Sequence, residues 1–363
     1  MKKFTALFLS VILLTAIILP LTASAAESRI YVAGIELKSG EYLANGADAP
    51  TDVCPEGTGY AHYDNGILTL NNFSYEGIGS VDSDEHSLIY SEGELALNLV
   101  GENSLISDID AAPSYHYWIG IKCDSTLKTG GYGSLYIYGD YGIFVSNKEG
   151  DVTFALSEST LDIEARETGI YLSASNKKSN TYAYFFDGEV NIDSGTSGIE
   201  AYAYINVYLY TSGSEINIDT EDSVNIYSLG EQYFYVTGGK MTANNVIIAS
   251  IIGNLEDSHI IVESGELICW SLGDMITLGE KIEAVVLDDG RMSYREKAIP
   301  LGDVNADYTV DQFDYILIKR HYFETRYLTD DELPRADVNA DGVIDQFDYI
   351  LIKRIYFGTY TIE

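Results

Sequence analysis

The chain has 363 residues, and its 56 acidic residues against 21 basic ones give a formal net charge of −35. This balance excludes the clustered lysine and arginine that bind a nucleic-acid backbone, and it argues against adhesion to an anionic membrane. Such an acidic excess either keeps an exported protein soluble or binds divalent cations, and only the second role requires carboxylates at fixed spacings.

The first predicted element is a signal peptide in residues 1–25. Two lysines precede an apolar run, and the small residues at 23–25 have the form that a signal peptidase cleaves. A membrane anchor is the alternative, but no basic stop-transfer cluster follows the run. We therefore expect the mature chain to be secreted, either extracellular or in a complex at the cell surface.

Residues 26–290 predict a mainly β domain. Short alternating strands, such as 95–99 and 135–138, are separated by Gly, Asn, Asp and Ser. A Gly-Ile pair opens strands at residues 120, 142, 169 and 198, with spacings of 22, 27 and 29 residues. A β-sandwich would explain the alternation alone, whereas stacked coils of loose period also explain the recurring pair. We predict a right-handed parallel β-helix, which is a solenoid.

A short motif at residues 63–72, YDNGILTLNN, adds to this interpretation. It resembles β-helical surface and carbohydrate-binding domains of gut Firmicutes. The resemblance implies that the β domain contacts a polysaccharide, without assigning the residues that do so.

Tyrosine is unusually frequent, with 30 copies against 12 phenylalanines and 2 tryptophans. In residues 203–209 the aliphatic residues between tyrosines should point into the core, so the tyrosines should point outward. Exposed tyrosines can stack on sugar rings, but tyrosines of neighbouring coils can instead stack on one another as a structural ladder. The candidate glycan-binding residues are Tyr202, Tyr204, Tyr208 and Tyr210.

The sequence of the β domain does not indicate a set of catalytic residues. Arg166 lies in an alternating charged run that fits a solvated ladder, and Glu164 and Glu167 form an acid–base pair only if the fold brings them together. The histidines are dispersed without metal-ligand spacing, and no nucleophile motif is present. A β-helical polysaccharide lyase or glycoside hydrolase therefore stays open as an alternative, as does a structural or adhesive component.

After a short polar linker at 291–300, the chain contains a duplication. Residues 303–307 recur as 337–341, and residues 311–320 recur unchanged as 345–354, both at an offset of 34 residues. In each copy, oxygen-bearing side chains occupy positions 1, 3, 5, 9 and 12 of a twelve-residue calcium loop, and position 7 offers its backbone carbonyl. The predicted ligands of two calcium ions are Asp303, Asn305, Asp307, Thr309, Asp311 and Asp314 in loop 1, and Asp337, Asn339, Asp341, Val343, Asp345 and Asp348 in loop 2.

The two loops differ at position 6, where the chain turns sharply and φ is positive. Loop 2 has Gly342 there, but loop 1 has Tyr308. A left-handed conformation costs a residue with a side chain roughly 1–2 kcal/mol. We therefore expect loop 1 to bind calcium more weakly than loop 2.

Helical periodicity follows each loop, because apolar residues recur at i, i+3 and i+4 from Phe313 and again from Phe347. Paired D-x-N-x-D…D-x-x-D loops, each followed by a helix that ends in Lys-Arg, resemble the type I dockerin of cellulosome-type assemblies over residues 301–363. The resemblance implies calcium-dependent binding to a cohesin module on a scaffold protein. The implied cohesin-binding residues are Gln312, Phe313, Lys319 and Arg320, with their twins Gln346, Phe347, Lys353 and Arg354.

Many dockerins carry Ser-Thr where this chain has Gln-Phe, so the resemblance implies a cohesin of a different specificity group. Because the two copies are identical at these positions, we hypothesise that the domain binds its partner in either of two orientations. The combined expectation is a secreted accessory protein of a polysaccharide-degrading complex, docked on a scaffold by one domain and contacting a glycan with the other.

Overall fold

The structure is a computed structural model that describes residues 28–361 except 83, 112–115, 221, 251–257, 271 and 273–275. The predicted signal peptide lies outside the described residues. The chain divides into two compact units, with the boundary between Glu296 and Lys297. Within the described part of the chain, no helix has the length and apolar character needed to cross a membrane.

The N-terminal unit consists of strands, and most of them pair in parallel. In chain order, the strands are β1 Ile30–Val32, β2 Ile35–Leu37, β3 Glu41–Ala44, β4 Tyr60–Asp64, β5 Ile67–Asn71, β6 Ser74–Gly77, β7 Ser80–Asp82, β8 Glu85–Ser91, β9 Leu95–Val100, β10 Glu102–Ser107, β11 Tyr117–Cys123, β12 Thr126–Gly131, β13 Ser134–Asn147, β14 Val152–Ser157, β15 Thr160–Ala174, β16 Thr181–Phe186, β17 Glu189–Ser194, β18 Ser197–Ala203, β19 Val207–Ser212, β20 Glu215–Asp219, β21 Asp222–Ser228, β22 Gln232–Thr242, β23 Val246–Ser250, β24 Ser258–Cys269, β25 Ile276–Leu278, β26 Ile282–Val286 and β27 Met292–Glu296.

Parallel pairing between successive coils builds three faces, and long strands such as β13 and β15 turn a corner from one face to the next. Face A consists of β6, β10, the first halves of β13 and β15, β17, β20 and the ends of β22 and β24. Face B consists of β8, β11, the second halves of β13 and β15, β18, β21 and β23. Face C consists of β5, β9, β12, β14, β16, β19, the starts of β22 and β24, and β25. The predicted parallel β-solenoid is confirmed.

The recurring Gly-Ile pair marks one position of successive coils. The isoleucines of these pairs are direct partners across the sheet: Ile121 pairs with Ile143, Ile143 with Ile170, and Ile170 with Ile199. The glycine is required because a face A isoleucine occupies the space of its missing side chain. A Cβ on Gly169 would lie 2.4 Å from Cγ2 of Ile192. The pair is therefore a packing device of the core.

Antiparallel strands close both ends of the solenoid. At the start, β3, β4 and β5 form an antiparallel meander, and β1 pairs antiparallel with β2 and β8. At the end, β27 pairs antiparallel with β24 and β26. These strands cover edges that would otherwise offer unpaired backbone groups to another chain. Strand β27 occupies half of the segment that the sequence analysis assigned to a linker, because Ser293 and Tyr294 are buried against the last coil.

The C-terminal unit is helical, with α1 at Gln312–Tyr322, α2 at Leu333–Ala336 and α3 at Gln346–Tyr356. Its small core contains two pairs of residues that are 34 positions apart, Val304 with Val338 and Ile318 with Ile352. The rings of the equivalent residues Tyr315 and Tyr349 meet edge to face, with centroids 5.5 Å apart. Contact between equivalent residues is what a two-fold relation requires, so the two repeats pack as near-symmetric halves.

Because the Gly-Ile positions are closely packed, we expect that adding one methyl group at such a glycine destabilises the solenoid. Gly169→Ala should lower the free energy of unfolding of the solenoid by about 1–3 kcal/mol, because the added Cβ overlaps Ile192 and the Gly198 carbonyl. Gly150→Ala is the matched control, since the one atom near its added Cβ is the side-chain amide nitrogen of Asn147 at 3.3 Å, outside the overlap found at Gly169. Chemical denaturation measures both variants, and equal stabilities for the two would contradict this packing role.

Candidate functional site

Loop 1 is organised by carboxylates that accept hydrogen bonds from its own backbone. Asp303 accepts from the N–H groups of Asp307 and Tyr308, at 3.1 and 2.6 Å. Asn305 Oδ1 also accepts from the Asp307 N–H at 3.1 Å. The side chains at positions 1 and 3 therefore already turn inward, toward the centre of the loop.

The last position of the loop, Asp314, ties the loop to helix α1. This fully buried side chain accepts from Val304 and Asn305 at the loop's start, at 2.7 and 3.1 Å. Its other oxygen accepts from the Asp311 N–H at 2.8 Å, and Asp311 in turn caps α1 by accepting from Phe313. Burial raises the pKa of the Asp314 carboxyl, against the opposing effect of these three amides.

Loop 2 repeats this geometry bond by bond. Asp337 accepts from Asp341 and Gly342 at 3.1 and 2.9 Å, and Asp348 accepts from Val338 at 2.9 Å. Asp345 caps α3 as Asp311 caps α1. Residues at equivalent positions of the two repeats therefore make the same hydrogen bonds.

The fit of these loops to calcium rests on the chemistry of their donors. Among the described residues, no three acidic, histidine or cysteine side chains converge closely enough to hold a metal ion. The loops nevertheless bury Asp303, Asp314 and Asp348 completely, and no ion pair joins any of them to a basic side chain in the described part of the chain. Buried carboxylates without a cation are costly, and hard oxygen donors match calcium. The residues present therefore fit the ion.

The backbone confirms the contrast at position 6. Tyr308 has a φ of 67° and Gly342 a φ of 81°, so both loops make the same turn with different residues. Each loop also has a second left-handed position that its sequence did not indicate, at Ala306 and Ala340, with φ of 60° and 55°. Because this second strain is common to both loops, Tyr308 remains the difference between them.

The residues expected to bind cohesin lie at the surface. Phe313 and Phe347 are each 56% exposed near the starts of α1 and α3, and the Lys-Arg pairs are exposed further along both helices. Sequence reasoning missed a further repeated feature, an exposed Tyr-Phe pair at the end of each helix, Tyr322-Phe323 and Tyr356-Phe357. The offset of 34 residues between these pairs was the signal that could have found them.

The four candidate glycan-binding tyrosines do not share a surface. Tyr202 lies on β18 of face B, whereas Tyr208 and Tyr210 lie on β19 of face C. The chain turns between the two faces at Tyr204 and Ile205, so Ile205 is exposed and the expected alternation breaks there.

Two of these tyrosines, Tyr202 and Tyr208, stack on tyrosines of neighbouring coils. The Tyr208 ring lies 5.3 Å from Tyr182 on one side and 5.3 Å from Tyr233 on the other, nearly parallel to both. Tyr202 is stacked on Tyr227, with centroids 5.1 Å apart, and is tilted by 43° against Tyr171 on its other side. Both faces of Tyr208 and one face of Tyr202 are therefore occupied within structural ladders.

The candidate catalytic residues of the solenoid have other partners. Arg166 is exposed and contacts the buried Asp140, with Nε and Nη2 at 2.6 and 2.5 Å from Oδ1. Glu164 accepts from the Tyr136 hydroxyl at 2.8 Å, and Glu167 is hydrogen-bonded to Tyr141.

Two of the histidines are not dispersed in space. His86 Nε2 and His116 Nδ1 lie 2.9 Å apart, because their separation of 30 residues spans one coil. His86 also stacks on the buried Trp118, with ring centroids 4.2 Å apart, and burial lowers its pKa. Sequence spacing alone could not show this pair, because the period of the coils varies.

Comparison with known proteins gives one match. The family model for the dockerin type I domain matches residues 301–355, which lie within the C-terminal unit. Neither the curated proteins nor the solved structures gave a match to the chain. The resemblance derived from the duplicated loops is therefore confirmed: the chain carries a dockerin type I domain after an N-terminal β-solenoid.

Proposed function

We propose that this protein is a secreted accessory component of a polysaccharide-degrading, cellulosome-like complex. Its dockerin would bind two calcium ions and a cohesin module, and its solenoid would bind a glycan. The observation that carries the docking function is the duplicated loop, in which both copies bury a final carboxylate, Asp314 or Asp348, without a basic partner among the described residues. Secretion agrees with the predicted signal peptide and with the extracellular setting of cellulosome components.

The proposed calcium ligands are the side chains at positions 1, 3, 5, 9 and 12 of each loop, with the carbonyl at position 7. A bound calcium ion would supply positive charge and fix the loop through several oxygen ligands. The protein's own contribution is to hold Asp314 and Asp348 at the junction of loop and helix. Because these carboxylates also bond the first amides of the loop, ordering the loop orders the helix that follows it.

The proposed cohesin surface consists of the exposed Gln-Phe and Lys-Arg pairs on α1 and α3. On each helix, an exposed phenylalanine is followed by two basic side chains. In protein interfaces, a central aromatic residue often supplies much of the binding energy, and polar residues surround it. The near two-fold packing of the repeats presents this arrangement twice. Either helix could therefore take the central position in the complex.

Glycan binding is assigned to the solenoid for two reasons. A scaffold-docked protein needs a function beyond docking, and the motif at residues 63–72 resembles carbohydrate-binding β-helices. The strong negative charge excludes nucleic acid as the alternative ligand. The stacked tyrosine ladders leave Tyr204, which is 40% exposed, as the candidate of the four with the most accessible ring.

Chelation of calcium tests the docking domain within the full chain. With EDTA, trypsin should cut rapidly at Lys319, Arg320, Lys353 and Arg354, because metal-free loops no longer order the helices. The solenoid should stay intact and serves as the internal control. Mass spectrometry of the fragments measures the sites of cleavage, and equal protection with and without EDTA would refute calcium-dependent folding.

Calorimetry should resolve two unequal calcium sites, with loop 1 weaker by about tenfold because Tyr308 holds a strained backbone. Tyr308→Gly should bring the affinity of loop 1 close to that of loop 2. The control is Thr309→Val, which copies Val343 at the neighbouring position and should leave the affinities unchanged. Two equivalent sites in the unaltered protein would contradict the role of Tyr308.

Binding in two orientations predicts an unusual response to substitution. Replacing Gln312 and Phe313 with alanine should weaken cohesin binding only about twofold, because the second orientation persists. Replacing Gln346 and Phe347 should have the same small effect, whereas all four replacements together should abolish binding. Surface plasmon resonance on an immobilised cohesin measures each variant, and a large loss from either double variant alone excludes the dual mode.

A further inference from the structure

Face A carries an open groove that none of the four candidate tyrosines lines. Its volume is about 460 Å³, and it extends from Tyr136 on β13 to Thr242 at the end of β22. Most of the residues that line it come from five successive strands of the face, β13, β15, β17, β20 and β22. With roughly 4.8 Å between neighbouring strands, the groove runs about 19 Å along the solenoid. A groove of this length suits an extended chain lying across the coils.

Amides and carboxylates at equivalent positions form a ladder along the groove, beside the lining residues Ile163, Ile192 and Ile218. Asp162 lies directly across the sheet from Asn191, and Asn191 lies directly across from Asn217. Each amide donates to the preceding coil, Asn191 to Asp162 at 2.9 Å and Asn217 to Asn191 at 3.1 Å. Asn191 also donates to Glu189 at 3.1 Å, so the row offers a ligand chiefly its carboxylate and amide oxygens, preorganised to accept from hydroxyl groups.

Aromatic residues lie at or beside the two ends of this groove. Tyr136 lines the first end, and its hydroxyl donates to Glu164 at 2.8 Å. Beside the other end, the backbone N–H of Trp270 donates to the carbonyl of Asn244, a residue of the lining, and the Trp270 ring lies next to Gly290, which precedes the lining residue Arg291. The Trp270 side chain is 46% exposed, which is unusual for the largest apolar residue in a protein with only 2 tryptophans. Exposed aromatic faces can stack on the apolar faces of sugar rings.

The charge of the groove selects among glycans. Glu164, Asp193 and Asp219 stand at equivalent positions of three neighbouring strands, beside the row that begins with Asp162. Arg291, the basic residue of the lining, is already paired with Asp289 at 2.8 Å. A polyanionic chain would meet like charges along the whole groove, whereas an uncharged chain would meet hydrogen-bonding groups and the isoleucines of the lining without this repulsion.

We propose that the face A groove binds an uncharged polysaccharide chain, with Asn191 and Asn217 bonding its hydroxyls and Trp270 stacking on a sugar at one end. This inference deepens the proposed glycan-binding function and rests on it. It replaces the four candidate tyrosines by a different face of the solenoid. It also disfavours a polyuronate as the ligand of this domain.

Affinity electrophoresis of the full-length protein in calcium-containing gels tests the proposal against neutral β-glucan, galactomannan and polygalacturonate. The unaltered protein should be retarded by a neutral polysaccharide and not by polygalacturonate. Trp270→Ala should weaken this retardation at least tenfold, and Asn191→Ala and Asn217→Ala about fivefold each. Two controls, Tyr132→Ala at an 88% exposed ring outside the groove and Tyr208→Ala in the face C ladder, should bind as the unaltered protein does.

The outcomes separate this site from the broader function. If the unaltered protein binds a neutral glycan and the groove variants bind it equally well, the groove is excluded while glycan binding stands. If no glycan retards the unaltered protein, the proposed glycan-binding function fails with it. Retardation by polygalacturonate in preference to neutral chains overturns the charge argument, and loss of neutral binding on addition of EDTA would identify a bridging cation instead.

A charge-neutralising variant provides an independent check. Asp193→Asn combined with Asp219→Asn keeps the shape of the groove and removes two of its negative charges. Neutral-glycan binding should persist, and discrimination against polygalacturonate should decrease. Unchanged discrimination would show that these carboxylates do not face the ligand.

Discussion

The C-terminal unit depends on one arrangement, a fully buried carboxylate at the junction of each loop and helix. Asp314 and Asp348 accept hydrogen bonds from the start of the loop and from the residue that caps the helix. Two ends of a twelve-residue segment are thereby joined through one side chain. Because the carboxylate is buried without a basic partner among the described residues, the arrangement favours a bound cation, which couples ion binding to helix order and to the exposed docking residues.

Because the sequence is duplicated, the domain contains this loop–helix arrangement twice. The two copies are not equivalent, because their loops differ at one turn. The two helices expose the same phenylalanine and the same basic pair, yet loop 1 makes its sharp turn with Tyr308 where loop 2 uses Gly342. A similar difference recurs after the helices, where Glu324 adopts a φ of 54° and the equivalent Gly358 a φ of 65°. The first repeat therefore holds more backbone strain than the second, although their docking surfaces are alike.

Sequence reasoning succeeded where spacing is rigid. The 34-residue offset located both loops and the helices that follow them, and the Gly-Ile pairs located one position of four successive coils. It failed where partners depend on coil length. The contact of His86 with His116, the pairing of Arg166 with Asp140 and the turn at Tyr204 all depend on where each coil bends, and the spacings of 22, 27 and 29 residues hide those bends.

Alternate residues of each strand point into the core and out to the surface. The outward residues differ in type between the faces of the solenoid. On face C, outward positions of neighbouring coils carry tyrosines that stack on one another, which stabilises the solenoid and occupies their faces. On face A, the equivalent outward positions carry amides and carboxylates, whose amide donors bond the neighbouring coil while carboxylate and amide oxygens line a groove. The inward rows beneath both faces are similar, with isoleucine, leucine and valine. A solenoid thus keeps one core while its faces diverge, so the search for a ligand site should begin on the face whose outward residues leave acceptor oxygens along a groove rather than rings that cover one another.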